Sequence, residues 1–152
     1  MNLKKVFSLL LCCLMVVSFI TASVSAAEPE DVLVKRTVEY LDNGDSITVE
    51  IYECAIQPRS SKVGYATTTY KNSLGTSIWS VSVKGSFTYN GSSSSATAAE
   101  ATVTIYSSKA SFVSKNAYTS GKTATATGTI KYDAVQTTRS ASVSCDKNGN
   151  LY

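Results

Sequence analysis

Beyond residue 30, apolar and polar positions alternate along much of the chain. Residues 79–89 carry the cleanest pattern. Trp79, Val81, Val83, Phe87 and Tyr89 fall on one parity, with Gly85 among them, and Ser80, Ser82, Lys84, Ser86 and Thr88 fall on the other. Successive side chains of a strand point to opposite faces, so this spacing predicts a strand with one face in a core and one in water. Gly85 on the apolar parity predicts a bulge or the close approach of another backbone.

The same reading predicts further strands. Residues 32–41 and 47–53 flank Asp42-Asn43-Gly44-Asp45, a strong hairpin signal. Ile47, Val49 and Ile51 share one face; Thr48, Glu50 and Tyr52 share the other. Residues 64–71 form the next strand, turned by Asn72-Ser73-Leu74-Gly75. Asn90-Gly91 and the four serines after it predict a flexible loop, followed by a strand with Ala101, Val103 and Ile105 on one side. Residues 112–118 read as a weaker strand. In residues 123–132 four threonines alternate with Ala124, Ala126, Gly128, Ile130 and Tyr132; in the last strand Val135, Ala141, Val143 and Cys145 share a parity. Seven or eight short strands of Thr, Val, Tyr and Ser predict an all-β fold, an antiparallel β-sandwich or open barrel.

The first 27 residues break the period. Lys4 and Lys5 precede an apolar run over residues 6–20, and small residues follow up to Ala26 and Ala27. This is the layout of a cleavable signal peptide, expected to be helical, with cleavage after Ala26 or Ala27. The run is shorter than the ~20 residues that span a bilayer. The chain is expected to be secreted and extracellular, with no membrane span after cleavage. The expected organisation is residues 1–27 as signal peptide, residues 28–57 as an acidic hairpin and linker, and residues 58–152 as a basic body. Gln57-Pro58-Arg59-Ser60-Ser61-Lys62 reads as a linker and marks the boundary.

Charge sharpens that division. Residues 28–53 hold eight carboxylates against Lys35 and Arg36, whereas residues 54–152 hold ten Lys and Arg against Glu100, Asp133 and Asp146. Such asymmetry fits two complementary surfaces, one basic surface for an anionic partner, or simply solvated edges.

Composition excludes common chemistries. The chain has no histidine. Ser-His and Cys-His nucleophile pairs and histidine metal sites are therefore absent. No glycine-rich phosphate loop occurs, and no cofactor or metal is expected. Asp146-Lys147-Asn148-Gly149-Asn150 begins like a calcium loop, but its glycine is fourth rather than sixth, so it reads as a turn. A carboxylate pair for glycoside hydrolysis would need Glu50 or Glu53 to meet Glu100 in space. No enzyme is expected.

Cys54 and Cys145 are the two cysteines after the leader, and outside the cell such a pair is expected to bridge. Nine tyrosines and one tryptophan invite a glycan-binding reading. Trp79, Phe87 and Tyr89 are assigned to the core. Tyr52, Tyr106 and Tyr118, with Lys84 and Lys131, are the exposed aromatic and basic candidates for binding. No helix or loop concentrates the basic residues, so nucleic acid is not an expected partner.

The stretch Thr69-Tyr70-Lys71-Asn72, Gly75, Trp79, Val81, Val83, Gly85 and Phe87-Thr88-Tyr89-Asn90-Gly91-Ser92, with Cys145-Asp146-Lys147-Asn148-Gly149-Asn150-Leu151, resembles a group of short secreted proteins of Gram-positive, clostridia-like bacteria classed as a domain of unknown function. The resemblance implies secretion and a β fold and assigns no site residue. Some members carry a cysteine near the position of Ala98 that could partner Cys145; this chain lacks it. The expected role is a secreted, non-catalytic module binding cell-envelope polymer, glycan or a host surface. The alternative is a bacteriocin-like antagonist whose acidic segment, residues 28–59, is removed by a trypsin-like cut.

Overall fold

The computed structural model describes residues 30–55 and 60–152. The leader, its cleavage position at Ala26 or Ala27, and Arg59 lie outside the described residues. Eight strands follow one another: β1 (Val32–Tyr40), β2 (Ser46–Glu53), β3 (Ser61–Lys71), β4 (Ser77–Tyr89), β5 (Ser94–Ile105), β6 (Ala110–Ser120), β7 (Thr123–Tyr132) and β8 (Val135–Ser144). The chain is all-β, with no helix among the described residues. Strands β1 to β5 form one antiparallel sheet in chain order, and β6 to β8 form a second.

Parity decides what each sheet buries. Tyr70 lies opposite Trp79, Ala66 opposite Val83 and Ile51 opposite Ala66, so these residues share the inner face of the first sheet. The second sheet contributes Ala124, Ala126, Ile130, Ala141 and Val143, all at most 2% exposed. Alternating apolar positions thus meet across the gap between two sheets. Gly85 and Gly128 set how closely. A Cβ on Gly85 would lie 2.8 Å from Cβ of Ala124, and one on Gly128 would lie 2.6 Å from Cγ2 of Val81. Gly85 makes room for side chains, the Phe87 ring and the Ala124 methyl, rather than for another backbone, and the irregularity of β4 against β5 falls beside it, between Ser86 and Phe87.

The outer faces are lined by hydroxyls that bond in pairs across strands. Thr67 meets Ser82 at 2.8 Å, Thr123 meets Ser144 at 2.7 Å and Thr129 meets Thr138 at 2.9 Å. Such cross-strand pairs stabilise a sheet whose outer side chains are too short to pack.

Three turns share one construction. In Leu41–Asp45 the Gly44 N–H donates to Leu41 O at 2.9 Å, and in Asn72–Thr76 the Gly75 N–H donates to Asn72 O at 2.8 Å. In Asp146–Asn150 the Gly149 N–H donates to Asp146 O at 3.1 Å. Each glycine has φ between +78° and +89°. These are type I turns closed by a left-handed glycine, the three-residue hairpin form. The Asn43-Gly44 hairpin is therefore present, but Asn43 does not share the positive φ of a two-residue turn. Two boundaries also differ from expectation: β5 begins at Ser94, inside the serine run read as a loop, and β3 begins at Ser61, so Ser61 and Lys62 of the expected linker are strand residues paired with Thr88 and Phe87 of β4.

The acidic hairpin is not set apart from the body. Strand β2 pairs with β3 over all eight of its residues, from Ser46 opposite Lys71 to Glu53 opposite Gly64. Hairpin carboxylates also bond to body side chains along β3. Asp31 accepts from Tyr65, Asp45 from Tyr70, and Glu53 is bridged to Lys62.

Candidate ligand-binding site

The first sheet is two strands wider than the second. Strand β7 packs over β4, and β8 packs over β3. Neither β1 nor β2 packs under a strand of the second sheet to that extent, yet Ile47 and Ile51 on the inner face of β2 are buried. Near the β1–β2 and β7–β8 turns the structure leaves a cleft of about 310 Å³. It is lined by Leu41, Tyr70, Trp79, Tyr132, Val135 and Arg139, with Asp133 and Thr137.

Each residue arrives there by strand parity. Tyr70, near the end of β3, lies opposite Trp79, near the start of β4, on the same face, so their rings stack at 5.3 Å with a 6° interplanar angle. Tyr132 ends β7 on the inner face of the other sheet and meets Tyr70 edge-on at 5.9 Å and 64°. Trp79 is buried, and Tyr70 and Tyr132 are half-buried. Tyr70 is fixed by donating its hydroxyl to Asp45. Burial, with Asp45 second, pushes the Tyr70 phenol up to about 12, so it remains a neutral donor.

Strand β8 supplies the opposite wall. Val135, Thr137 and Arg139 share the parity of Ala141 and Val143, but lie where the first sheet no longer covers them closely. Val135 is 68% exposed. The rim is a two-residue turn in which Asp133 and Ala134 have φ of 45° and 68°. Asp133 tolerates the left-handed region through its short polar side chain; Ala134 does not. The cleft thus combines an aromatic floor, an apolar wall, one guanidinium, one carboxylate and a hydroxyl on a strained rim.

The binding candidates read from the sequence lie elsewhere and do not converge. Tyr52 lies on the outer face of the first sheet, stacked on Tyr65 at 5.4 Å. Lys84 lies opposite Tyr65 and Glu100 on that face. Tyr106 is exposed just past β5, 3.2 Å from the Ser80 hydroxyl. Tyr118 and Lys131 share the parity of Thr125 and Thr129, on the outer face of the second sheet. Tyr70, Tyr132 and Arg139 are not among those candidates.

The carboxylate pair does not form. Glu50 and Glu53 are on β2 and Glu100 is on β5, with β3 and β4 between them. Three inter-strand spacings make about 14 Å, beyond the ~9.5 Å limit of a hydrolytic pair.

Cys54 and Cys145 are not joined by a disulfide. They lie on opposite sides of the first sheet. Cys54 lies near Asp31 and Lys84, toward the outer face. Cys145 is buried between the sheets near Lys62 and Glu53, its thiol donating to Asp146 O at 3.4 Å. Burial raises both thiols above the ordinary range, which keeps them protonated and slow to oxidise.

The Asp146 carboxylate is occupied by its own turn. Oδ1 accepts the N–H of Asn148 at 2.8 Å and of Asn150 at 2.9 Å, and Oδ2 accepts from Asn150 Nδ2 at 2.8 Å. Among the described residues no group of three His, Cys, Asp or Glu side chains gathers to hold a metal ion. Comparison of the chain with family models, curated proteins and solved structures finds no match.

Proposed function

We propose that this chain is a secreted, non-catalytic β-sandwich module that binds a saccharide segment of a cell-envelope or host-surface polymer in the aromatic cleft. The observation that carries this reading is the convergence of Tyr70, Trp79 and Tyr132 with Arg139, Asp133 and Thr137 around one opening of about 310 Å³. A sugar ring has an apolar face and a rim of hydroxyls. Aromatic rings take the face, and a guanidinium, a carboxylate and a hydroxyl take the rim. The volume lies at the small end of ligand pockets, which suits one or two sugar units of a longer chain. Among the described residues Asp133 is the single carboxylate of the lining, which supports binding over hydrolysis.

The test is retention of the purified protein on immobilised peptidoglycan, teichoic acid and mucin, followed by calorimetric titration with the best binder. Tyr132→Ala and Arg139→Ala are each expected to weaken binding tenfold or more while the melting curve keeps its shape. If Arg139 meets an anionic group, added salt weakens the wild type and spares Arg139→Ala. Retention unchanged in both variants, or no retention on any polymer, overturns the reading.

A further inference from the structure

Among the described residues, three of the four sheet edges make contacts. The edges of β5 and β6 lie against each other, where Lys115 Nζ donates to Ala101 O at 2.8 Å. The Ala96 N–H of β5 also donates to Gly121 O at 2.8 Å. The edge strand β8 gives Ser140 O to the Thr68 hydroxyl at 2.9 Å, and Ser144 exchanges two 3.0 Å bonds with Tyr152. Strand β1 differs. All nine of its residues are exposed, among them Val32, Leu33, Val34, Val38 and Tyr40. An edge this long and apolar is a template for another strand.

The charges on β1 say which strand fits. Lys35, Thr37 and Glu39 lie on the inner parity, opposite Ile51, Val49 and Ile47 of β2; Arg36 and Val38 lie on the outer parity. A two-fold axis perpendicular to the sheet keeps inner residues opposite inner residues, so it passes through a residue and not between two. Centred on Lys35, Arg36 or Glu39, it sets that residue against its own copy and opposes like charges. Centred on Val38 it makes no ion pair. Centred on Thr37 it places Lys35 of each strand opposite Glu39 of the other, twice, and lays Arg36 beside Val38. The segment 35–40 that would pair is regular, because the bulge of β1 lies before it, between Leu33 and Lys35.

We propose that β1 pairs antiparallel with β1 of a second copy about Thr37, joining two five-stranded sheets into one of ten strands. The pairing satisfies the backbone groups along the open edge of β1. It also turns the inward-facing charges, which block a foreign strand, into a recognition signal for the chain itself. The inference is independent of the cleft, which is built from other residues.

Sedimentation velocity over a concentration series tests it, with charge reversals as the probe. The wild type is expected to pass from monomer to dimer. K35E and E39K each place two like-charged pairs at the interface, and each is expected to weaken the dimer at least tenfold. An equimolar mixture of the two chains restores both ion pairs, and dimer is expected to return as the mixed species. Both positions are exposed, and thermal melts of each variant confirm the fold. A wild type that stays monomeric to millimolar concentration overturns the proposal. So does a dimer indifferent to both reversals, which would use another surface, or a mixture that fails to recover.

Discussion

The rim of the cleft turns on one alanine. Ala134 sits at φ 68°, where its Cβ crowds the following carbonyl. That conformation costs about 1–2 kcal/mol for an ordinary L-residue. Glycine removes the strain but adds chain entropy to the unfolded state, worth roughly 0.5–1 kcal/mol. The difference leaves Ala134→Gly more stable by up to about 1.5 kcal/mol, read as a higher denaturation midpoint at unchanged slope. A destabilised variant would mean that the Ala134 methyl makes contacts worth more than the strain. Asp146 gives a second prediction at this scale. Bonds from Asn150, foremost its side chain, hold its carboxyl below the ordinary value. A depressed carboxyl stabilises the fold fully above its unfolded pKa, and that contribution fades as pH falls through the folded value. The melting temperatures of wild type and Asp146→Ala are therefore expected to differ most near neutrality and to converge below about pH 4. A gap that is constant with pH would show that the turn stands without the charge.

Elements were largely legible because each strand carries its own period. The parities of β4 and β7, read from Trp79, Val81, Val83 and from the Thr123 to Thr129 series, are the faces that the structure buries and exposes. The start of β5 was hidden because Ser94 and Ser95 have a turn-like composition. Their strand is imposed from outside: Ser94 and Ser95 lie opposite Tyr89 and Thr88, and the Ser94 hydroxyl donates to Cys145 O at 2.6 Å. The cleft was hidden for a different reason. Parity tells which residues face inward, but not where the covering sheet ends. Thr137 and Arg139 share the inward parity of Ala141 and Val143. A guanidinium two residues from a buried alanine was the available signal that the apolar face of β8 opens toward solvent at that point. The same limit explains the cysteines. Strand parity ran out one residue before Cys54, and its side of the sheet is set by neighbours distant in sequence.

At the scale of the whole molecule, the acidic hairpin decides between a module and an antagonist with a removable cover. Hairpin and body are bonded along β3: Asp31 and Asp45 accept from the neutral phenols of Tyr65 and Tyr70, and Glu53 pairs with Lys62. Removing residues 28–59 would strip the eight-residue ladder between β2 and β3 and the buried side chains Ile47 and Ile51. Each buried isoleucine contributes about 1.5–3 kcal/mol, so the two together approach the ~5–15 kcal/mol stability of a whole domain. The body beginning at Ser60 is therefore expected to lose its cooperative thermal transition. It would also expose β3 as a new edge prone to aggregation. Removing only residues 28–40 takes β1, whose residues are all exposed, and is expected to leave a cooperative transition at somewhat lower temperature. The pair of truncations separates the readings. If the short one folds and the long one does not, the hairpin is a structural part of one folding unit and cannot serve as a discarded cover. If the body from Ser60 melts cooperatively near the temperature of the intact chain, the β2–β3 ladder is dispensable and the antagonist reading takes precedence.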